Sequence, residues 1–362
     1  MQNAQIHLQR GPEDYPAPVA ATVRAANGAA PFPPAPGSIH SILIMKLDAL
    51  GDHLLATPFF AGLRGHYPHA KITLLCVKEN LNLAETNPAF DHIVPLPHPA
   101  GSDERLNAVF AIELQSHAAA PFDMVIVPRW GEDWHHAGVI AKILDAPYRI
   151  TYSARSTPFK LRHALHHENF YTHLIDAPGT HHEVWRGLQL LHALGAELPP
   201  VDDIRLELHT TPADEEKINL FLQDKNYPRP WFAFGVGASL DHKRWPAEKF
   251  AELAQALEKK YGGTIFITGH GEKDAAAAAT ISAKRKDCVN CIGNLTPRET
   301  GSLVARCDII ITNDSFVLHA AAAKNVPVVE IIGHPRDGSG DNEYLPFRFG
   351  PWGPSFAWVQ PA

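Results

Sequence analysis

The sequence is poor in cysteine, and this excludes several kinds of site. Its four cysteines are Cys76, Cys288, Cys291 and Cys307, and only Cys288 and Cys291 form a C-x-x-C pair. A structural zinc site needs a second pair, or histidines at ligand spacing, and neither follows. We therefore expect reduced cysteines in a cytoplasmic protein.

Positive charge and long apolar runs are also scarce. A formal net charge of -7 disfavours a nucleic-acid partner, because phosphate binding needs clustered positive charge. No apolar run is long enough to span a bilayer, and we expect no secretory signal at the start. The 22 histidines form no H-E-x-x-H motif, so we predict no metal site.

The 362 residues fit two domains better than a single core. Residues 1–37 are rich in alanine and proline without periodicity, which predicts a flexible leader. Strand–helix repeats start at Ser41 and again at Trp231, so we predict domains over 38–205 and 206–362. Repeated βα units favour an α/β fold with two parallel, doubly wound sheets and ligand in a central cleft between the domains.

The predicted elements follow from apolar runs and helical spacing. In the first domain, we predict strands over 42–47, 71–77, 91–96 and 122–128, with helices over 54–64, 133–144 and 183–194. Residues 149–168 are irregular and basic. In the second domain, a helix over 213–224 precedes strands over 231–236, 263–268, 307–312 and 326–332, which alternate with helices beginning near 246, 272 and 315.

Gly51 and Asp52 follow the first strand and stand where a helix should begin. Asp52 is either the N-cap of that helix or a general base at the rim of the sheet. Lys46, near the end of the strand, either keeps this carboxylate charged, meets a phosphate, or is a solvated residue at the strand end.

Three blocks in the second domain also carry candidate chemistry. Small residues around Gly237 precede Lys243 and Arg244, an arrangement that fits either an anion site or a plain loop. Glu272 either binds ribose hydroxyls or simply starts a helix. Asp314 and its neighbours either bind an anion at a helix start or cap that helix.

Taken together, these blocks resemble the glycosyltransferase family of the lipopolysaccharide heptosyltransferases over about residues 40–335. The matching positions of the first domain are Lys46, Gly51, Asp52, Thr57 and Pro58. Those of the second domain are Gly237, Ala238, Lys243, Trp245, Pro246, the segment 268–272, Asn313, Asp314, Ser315 and His319.

The resemblance implies a GT-B fold and an inverting, metal-independent transfer from a nucleotide-diphosphate sugar. It implies that Asp52 is the general base and that Lys243 stabilises the departing diphosphate. Asp314 would orient the donor sugar or Lys243, and Glu272 would hold ribose. The donor-binding residues expected on this basis are Lys46, Gly237, Ser239, Arg244, Glu272, Asp314, Ser315, Phe316 and Val317.

The chain also departs from the family pattern. Phe316 stands where the family usually has glycine, and a bulky side chain there would reshape the donor pocket. The segment 338–362 lacks the apolar pattern of a terminal crossing helix. A basic group could bind an anionic glycan or glycolipid acceptor, or be a solvated surface: Arg129, Arg149, Arg155 and Arg162.

The sequence thus predicts an inverting glycosyltransferase that moves heptose from ADP-heptose onto a bacterial surface glycan such as the lipopolysaccharide core. We expect it in the cytoplasm, in peripheral contact with the inner membrane. Two alternatives stay open, a GT-B sugar-nucleotide epimerase and a non-catalytic sugar-nucleotide-binding protein. The sequence gives no oligomeric state.

Overall fold

The computed structural model describes residues 4–9, 21–99, 101, 103–117, 120–163, 165–179, 181–223, 225–333, 346–353 and 356–361. These residues fall into two compact units. The N-terminal unit lies within residues 16–200. The C-terminal unit lies within residues 201–362 and also contains the strand at residues 4–9.

The strands are β1 (Ala4–Gln9), β2 (Thr22–Ala25), β3 (Ser41–Lys46), β4 (Lys71–Cys76), β5 (His92–Pro95), β6 (Met124–Val127), β7 (Tyr148–Tyr152), β8 (His173–Asp176), β9 (Trp231–Gly235), β10 (Thr264–Thr268), β11 (Val289–Asn290), β12 (Ile309–Asn313), β13 (Val328–Ile331) and β14 (Phe356–Pro361).

The α-helices are α1 (Leu50–Leu55), α2 (Thr57–His66), α3 (Leu81–Ala84), α4 (Glu104–His117), α5 (Ala137–Leu144), α6 (Pro158–His163), α7 (Glu183–Ala193), α8 (Pro212–Gln223), α9 (Ala247–Tyr261), α10 (Glu272–Lys284), α11 (Pro297–Val304), α12 (Phe316–Ala323) and α13 (Pro346–Phe349). None of these described helices combines the length and apolar character needed to cross a membrane.

The sheet of the N-terminal unit has the order β2-β8-β7-β6-β3-β4-β5. All neighbours are parallel except β2 and β8. The central strand β3 is an almost fully buried run of aliphatic residues, as expected of a parallel strand covered on both faces. Strand order reverses between β3 and β6, which is where open α/β sheets bind ligands.

The C-terminal unit repeats this arrangement. Its sheet has the order β1-β14-β13-β12-β9-β10-β11, with only β1 and β14 antiparallel. The apolar residues of β9 and β10 pack with α9 and α10 around Phe234 and Phe250, which are fully buried. The order reverses between β9 and β12. The predicted α/β class with two Rossmann-like domains is confirmed.

The prediction that residues 1–37 form a flexible leader is wrong for two described segments. β1 pairs along its whole length with β14, and β2 pairs with β8. Arg24 of β2 also forms ion pairs with Glu168 and Asp176, at 3.0 and 2.8 Å. The sequence of β1 alternates apolar and polar residues, which is the pattern of a strand, but it lies in a segment whose alanine- and proline-rich composition predicted a leader.

The division between the two units falls after residue 200, five residues before the predicted boundary. One further expectation needs correction. The segment predicted to be irregular begins with β7, an interior strand between β6 and β8. In the C-terminal segment, residues 338–345 lie outside the described residues, and the described part contains α13 and β14.

Candidate functional site

Asp52 lies at the carboxyl edge of the N-terminal sheet, next to the point where strand order reverses. It is half-buried in the first turn of α1, and the N-cap of this helix is Ala49. Asp52 is therefore the third helical residue, and the geometry removes the alternative in which it is the cap. Its role as a general base stays a prediction.

A buried ionic network lies at the same edge. Lys46 Nζ is 2.6 Å from Asp48 Oδ2, and the guanidinium of Arg129 forms a second ion pair with Asp48. The amide of Asn80 donates to the Asp48 carbonyl at 2.8 Å. Buried charges need such partners, so Asp48 holds both cations in place. Sequence analysis missed Asp48, although it follows Lys46 by two residues.

His53 is buried beside this network, and both of its ring nitrogens lack hydrogen-bond partners. Burial, reinforced by the positive charge of Lys46, lowers the pKa of His53 to about 3. The imidazole therefore stays neutral at physiological pH and packs against the ring of Phe60. The residue that follows Asp52 therefore carries no positive charge.

The four arginines predicted to bind an acceptor do not form one group. Arg149 is at the start of β7, the opposite end from the candidate site. Its guanidinium pairs with Asp145 at 2.7 Å and donates to the carbonyls of Ala146 and Phe170. These contacts make Arg149 a structural brace. Arg155 and Arg162 are exposed in segments that follow the carboxyl end of β7.

Arg129 also lines a pocket at the carboxyl ends of β6 and β7. The side chain of Lys160 is buried there, and its ammonium donates to the Tyr152 carbonyl at 2.9 Å. The pocket is lined by Val127, Arg129, Asp133, Thr151, Tyr152, Ala154, Lys160, His167, Glu168, Tyr171 and Leu174. Sequence analysis identified Arg129 but not the pocket, because its residues come from several separate segments.

In the C-terminal unit, Asn313 fixes the loop that follows β9. Its amide donates to the Val236 carbonyl at 2.9 Å, and its side-chain oxygen accepts from the Trp245 N–H at 3.0 Å. Gly235 is required beneath this loop, because a Cβ there would collide with the Thr312 hydroxyl. The segment carrying Lys243 is thus tied to the end of β12.

The structure brings Lys243 and Asp314 into contact. Lys243 Nζ lies 2.5 Å from Asp314 Oδ2, and the lysine side chain is buried. A buried ammonium with a carboxylate partner stays charged and is held in one position. The contact joins two blocks that are far apart in sequence at the reversal point of the sheet.

Two further buried groups accompany this pair. Burial lowers the pKa of His319 to about 4, so its ring is neutral. Burial, together with the charge of Asp314, raises the pKa of Glu330 well above its usual value, although Lys243 opposes this shift. Glu330 Oε2 has no hydrogen-bond partner. Sequence analysis missed Glu330 because the strand around it is otherwise apolar.

Arg244 forms contacts within the C-terminal unit, and its role in donor binding stays a prediction. Its guanidinium lies 2.5 Å from Asp274 Oδ1 and donates to the Ala238 carbonyl. Asp274 Oδ2 accepts from the His270 N–H and lies 2.5 Å from where a Cβ of Gly237 would be. Arg244 and Asp274 therefore brace the two loops that end β9 and β10.

The remaining predicted donor residues lie at helix starts or in loops. Ser315 is the N-cap residue of α12, and Phe316 and Val317 form its first turn, where backbone N–H groups have no intrahelical acceptor. Phe316 is half-buried. Glu272 is exposed as the first residue of α10, and Ser239 is exposed in the loop after β9.

Within the described residues, no group of three or more histidine, cysteine or acidic side chains is placed to hold a metal ion. The cysteines carry free thiols. Burial raises the pKa of Cys288 to about 11 and that of Cys291 to about 12. These thiols are therefore protonated and unreactive at neutral pH.

Comparison with known proteins gives consistent results. The family model of glycosyltransferase family 9 (heptosyltransferase) matches residues 118–340. Lipopolysaccharide heptosyltransferase 3 of Escherichia coli K12 is 25% identical over 290 residues, which cover 78% of this chain and 79% of that protein. Lipopolysaccharide heptosyltransferase 2 of the same strain is 35% identical over 109 residues, 29% of this chain and 31% of that protein.

Solved structures support the fold. A glycosyltransferase of family 9 from Veillonella parvula aligns with a TM-score of 0.72 at 21% identity, covering 89% of this chain and 86% of that one. The E. coli ADP-heptose lipopolysaccharide heptosyltransferase II aligns with a TM-score of 0.64 at 20% identity, covering 88% and 89%. The chain therefore belongs to glycosyltransferase family 9, the heptosyltransferase family, and is a glycosyltransferase of the GT-B class.

Proposed function

We propose that this glycosyltransferase moves a heptose from ADP-heptose onto an anionic lipopolysaccharide inner core, with inversion at the sugar carbon and without a metal ion. The observation that carries the proposal is the buried Lys243–Asp314 pair beside the first turn of α12. The names of the relatives support the donor and the acceptor. We also propose a cytoplasmic location in peripheral contact with the inner membrane.

In the proposed reaction, Asp52 takes the proton of an acceptor hydroxyl. The hydroxyl oxygen then forms a bond to the anomeric carbon of the donor, and the bond from that carbon to the diphosphate oxygen breaks. The position of Asp52 at the rim of its sheet supports this role, because a general base must reach a bound hydroxyl. Because burial keeps the ring of His53 neutral, that residue adds no positive charge next to Asp52.

The departing diphosphate gains negative charge as the bond breaks. The Lys243 ammonium and the backbone N–H groups of Phe316 and Val317 would stabilise this charge, since a helix start favours anions. Asp314 would keep Lys243 oriented. Glu272 would bind ribose hydroxyls, and Ser239 would contact the phosphates.

On the acceptor side, Arg129, Arg155 and Arg162 would meet anionic groups. Arg129 is supported by its position at the mouth of the pocket and by its ion pair to Asp48. Arg149 is not part of this proposal, because its contacts belong to the opposite end of β7. Lys46, Gly237 and Arg244 would shape the site rather than contact the donor.

The test is transfer by the purified chain, given ADP-heptose and a heptose-deficient lipopolysaccharide, with products measured by mass spectrometry. Asp52→Asn should lower kcat by about two to four orders of magnitude while ADP affinity stays within about twofold. Lys243→Ala should weaken ADP binding in calorimetry. Asp202→Asn and Lys249→Ala alter exposed residues and serve as matched controls.

Full turnover by Asp52→Asn would refute the base assignment, and unchanged ADP affinity in Lys243→Ala would refute the leaving-group assignment. Inversion would be read from the anomeric coupling of the product in NMR. Incubation of ADP-heptose without acceptor tests the epimerase alternative, which the comparisons do not favour. An isomerised donor in that sample would support it.

A further inference from the structure

Glu330 is the acidic residue of β13, a strand that is otherwise aliphatic. It stands opposite Thr312 of β12, so the two side chains share one face of the sheet. On that face, the Thr312 hydroxyl lies 3.1 Å from the hydroxyl of Ser315, the N-cap residue of α12. Glu330 is 1% exposed, and among the described residues its Oε2 has no hydrogen-bond partner. A buried carboxyl group without a full set of partners is costly and requires an explanation.

The carboxyl end of β13 lies against the segment that carries Lys243. A Cβ on Gly333, three residues after Glu330, would collide with the carbonyl oxygen of His242. Asp314 directly follows β12 and pairs with Lys243 at 2.5 Å. The charges of both members of this pair act on Glu330, that of the carboxylate against its ionisation and that of the ammonium in favour of it. The cluster therefore contains one ammonium and two carboxyl groups.

The described elements around this cluster supply few other charges. β14 places an uncharged tryptophan beside Glu330, and α12 supplies His319, whose ring is kept neutral by burial. The side chain of His242 is exposed. α13 supplies Arg348, whose guanidinium stacks on the same aromatic ring that the Lys243 ammonium approaches. The charges that act most strongly on Glu330 are thus those of the lysine–aspartate pair.

We propose that Glu330 is a positioning residue for Lys243 at the donor site, where it acts as a neutral acid. The proposal rests on the proposed contact of Lys243 with the donor diphosphate. Two buried carboxyl groups beside one ammonium favour a state in which one keeps its proton, and burial assigns that proton to Glu330. The cluster then has no net charge. An ionised Glu330 would make it negative, hold the ammonium more tightly, and oppose the approach of a diphosphate.

The test is ADP binding, measured by calorimetry from about pH 6.5 to about pH 9 in the wild type and in Glu330→Gln, which is neutral at every pH. At the acid end, the two dissociation constants should agree within about twofold, because both side chains are then neutral. As Glu330 loses its proton, the wild type should bind ADP more weakly than the variant, and the ratio should rise by at most about tenfold per pH unit. The titration of ADP itself cancels in this ratio.

Two further variants guard this comparison. Glu330→Met is also uncharged and of similar length, so it should match Glu330→Gln if either substitution disturbs packing. Glu252→Gln removes an exposed carboxylate on α9 and should follow the wild type at every pH. A merely structural role of Glu330 would lower Tm in its variants but would leave the ratio of dissociation constants independent of pH.

Removal of the Asp314 charge gives a second test, which does not depend on the pH at which Glu330 titrates in the wild type. In Asp314→Asn, the repulsion that keeps the proton on Glu330 is lost, so Glu330 should ionise more readily and become the carboxylate partner of Lys243. The rise in the ratio, now taken between Asp314→Asn and the double variant with Glu330→Gln, should move to lower pH by about one unit or more.

A ratio that stays constant with pH in both backgrounds would overturn the proposal. A rise in the Asp314→Asn background supports it even where the wild type stays flat, since Glu330 then keeps its proton throughout the range. Lys243→Ala separates this proposal from the proposed function. Unchanged ADP binding in that variant would refute the role of Lys243, whereas weakened binding together with two flat ratios would refute the role of Glu330 alone.

Discussion

Replacing Glu330 with glutamine should remove one contribution to the pH dependence of the stability of the C-terminal unit. Glu330 lies on β13, opposite Thr312 of β12 and Trp358 of β14, and it is buried with no partner for Oε2. Burial is the main cause of the raised pKa of Glu330, and the negative charge of Asp314 adds to this effect. The nearby Lys243 acts in the opposite direction.

The sign follows from where the proton resides. In the unfolded chain a glutamate loses its proton near pH 4.3, whereas in the folded protein Glu330 keeps it to much higher pH. Between these two values, unfolding releases one proton, so the free energy of unfolding falls as pH rises. One proton corresponds to about 1.4 kcal/mol per pH unit. Burial lowers the pKa of His319 to about 4 in the folded protein, whereas a free histidine titrates near 6.5, so between these values His319 adds a slope of the opposite sign. Both proteins carry His319, so its slope cancels when the variant is compared with the wild type.

Glutamine cannot titrate, so the variant lacks this slope. Its buried amide costs stability, but that cost does not change with pH. The difference in unfolding free energy between Glu330→Gln and the wild type should therefore move in favour of the variant as pH rises above the glutamate pKa of the unfolded chain, with a limiting slope of about 1.4 kcal/mol per pH unit. In a domain of this size, this corresponds to roughly 2–4 °C in Tm per kcal/mol.

The assay is urea unfolding of the full chain at four pH values, followed by tryptophan fluorescence, to which the buried Trp352 of the same unit contributes. Glu252→Gln, on the exposed face of α9, is the control and should give a difference that does not vary with pH. If Glu330→Gln and the wild type gave parallel pH curves, Glu330 would be ionised or fully satisfied in the folded protein, and the reasoning would fail.

Three other substitutions test the network of contacts. Asp48→Asn should cost about 3–5 kcal/mol in urea unfolding, because Lys46 is left as a buried charge, and adding Lys46→Met should recover part of the loss. Thr296→Ala removes the capping box of α11 and should cost about 1 kcal/mol, and an unchanged midpoint would contradict this. Arg149→Ala should lower Tm without changing the KM for the acceptor. An unchanged Tm with a raised KM would instead support acceptor binding by Arg149.

The sequence was most informative where one physical cause dominates. Buried parallel strands such as β3 and β9 are runs of apolar residues, so their positions and the α/β class could be predicted to within a few residues. The polar residues that follow β9 and β12 could be placed at one edge of a sheet, because parallel strands end together. The contact of Lys243 with Asp314 follows from that placement.

Other features depend on partners that no local pattern shows. β1 is an edge strand, and its alternating sequence does not show that its partner is β14, near the other end of the chain. The positive charge of the segment around Arg149 suggested acceptor binding. The direction of β7, however, places Arg149 at the end of the sheet opposite the candidate site. Asp48 and Asp274 resemble any other surface acid in sequence, yet each is the buried partner of a cation.

The two units share one electrostatic arrangement at the point where strand order reverses. In each, a carboxylate holds a buried lysine: Asp48 holds Lys46 and also pairs with the half-buried Arg129, and Asp314 holds Lys243. Such a pair fixes the cation before any ligand arrives, which lowers the entropy lost on binding. In the proposed reaction, an incoming phosphate would share Lys243 with Asp314, which moderates affinity for the ground state. The extra charge on the departing diphosphate would strengthen the same contact, and this difference would accelerate transfer.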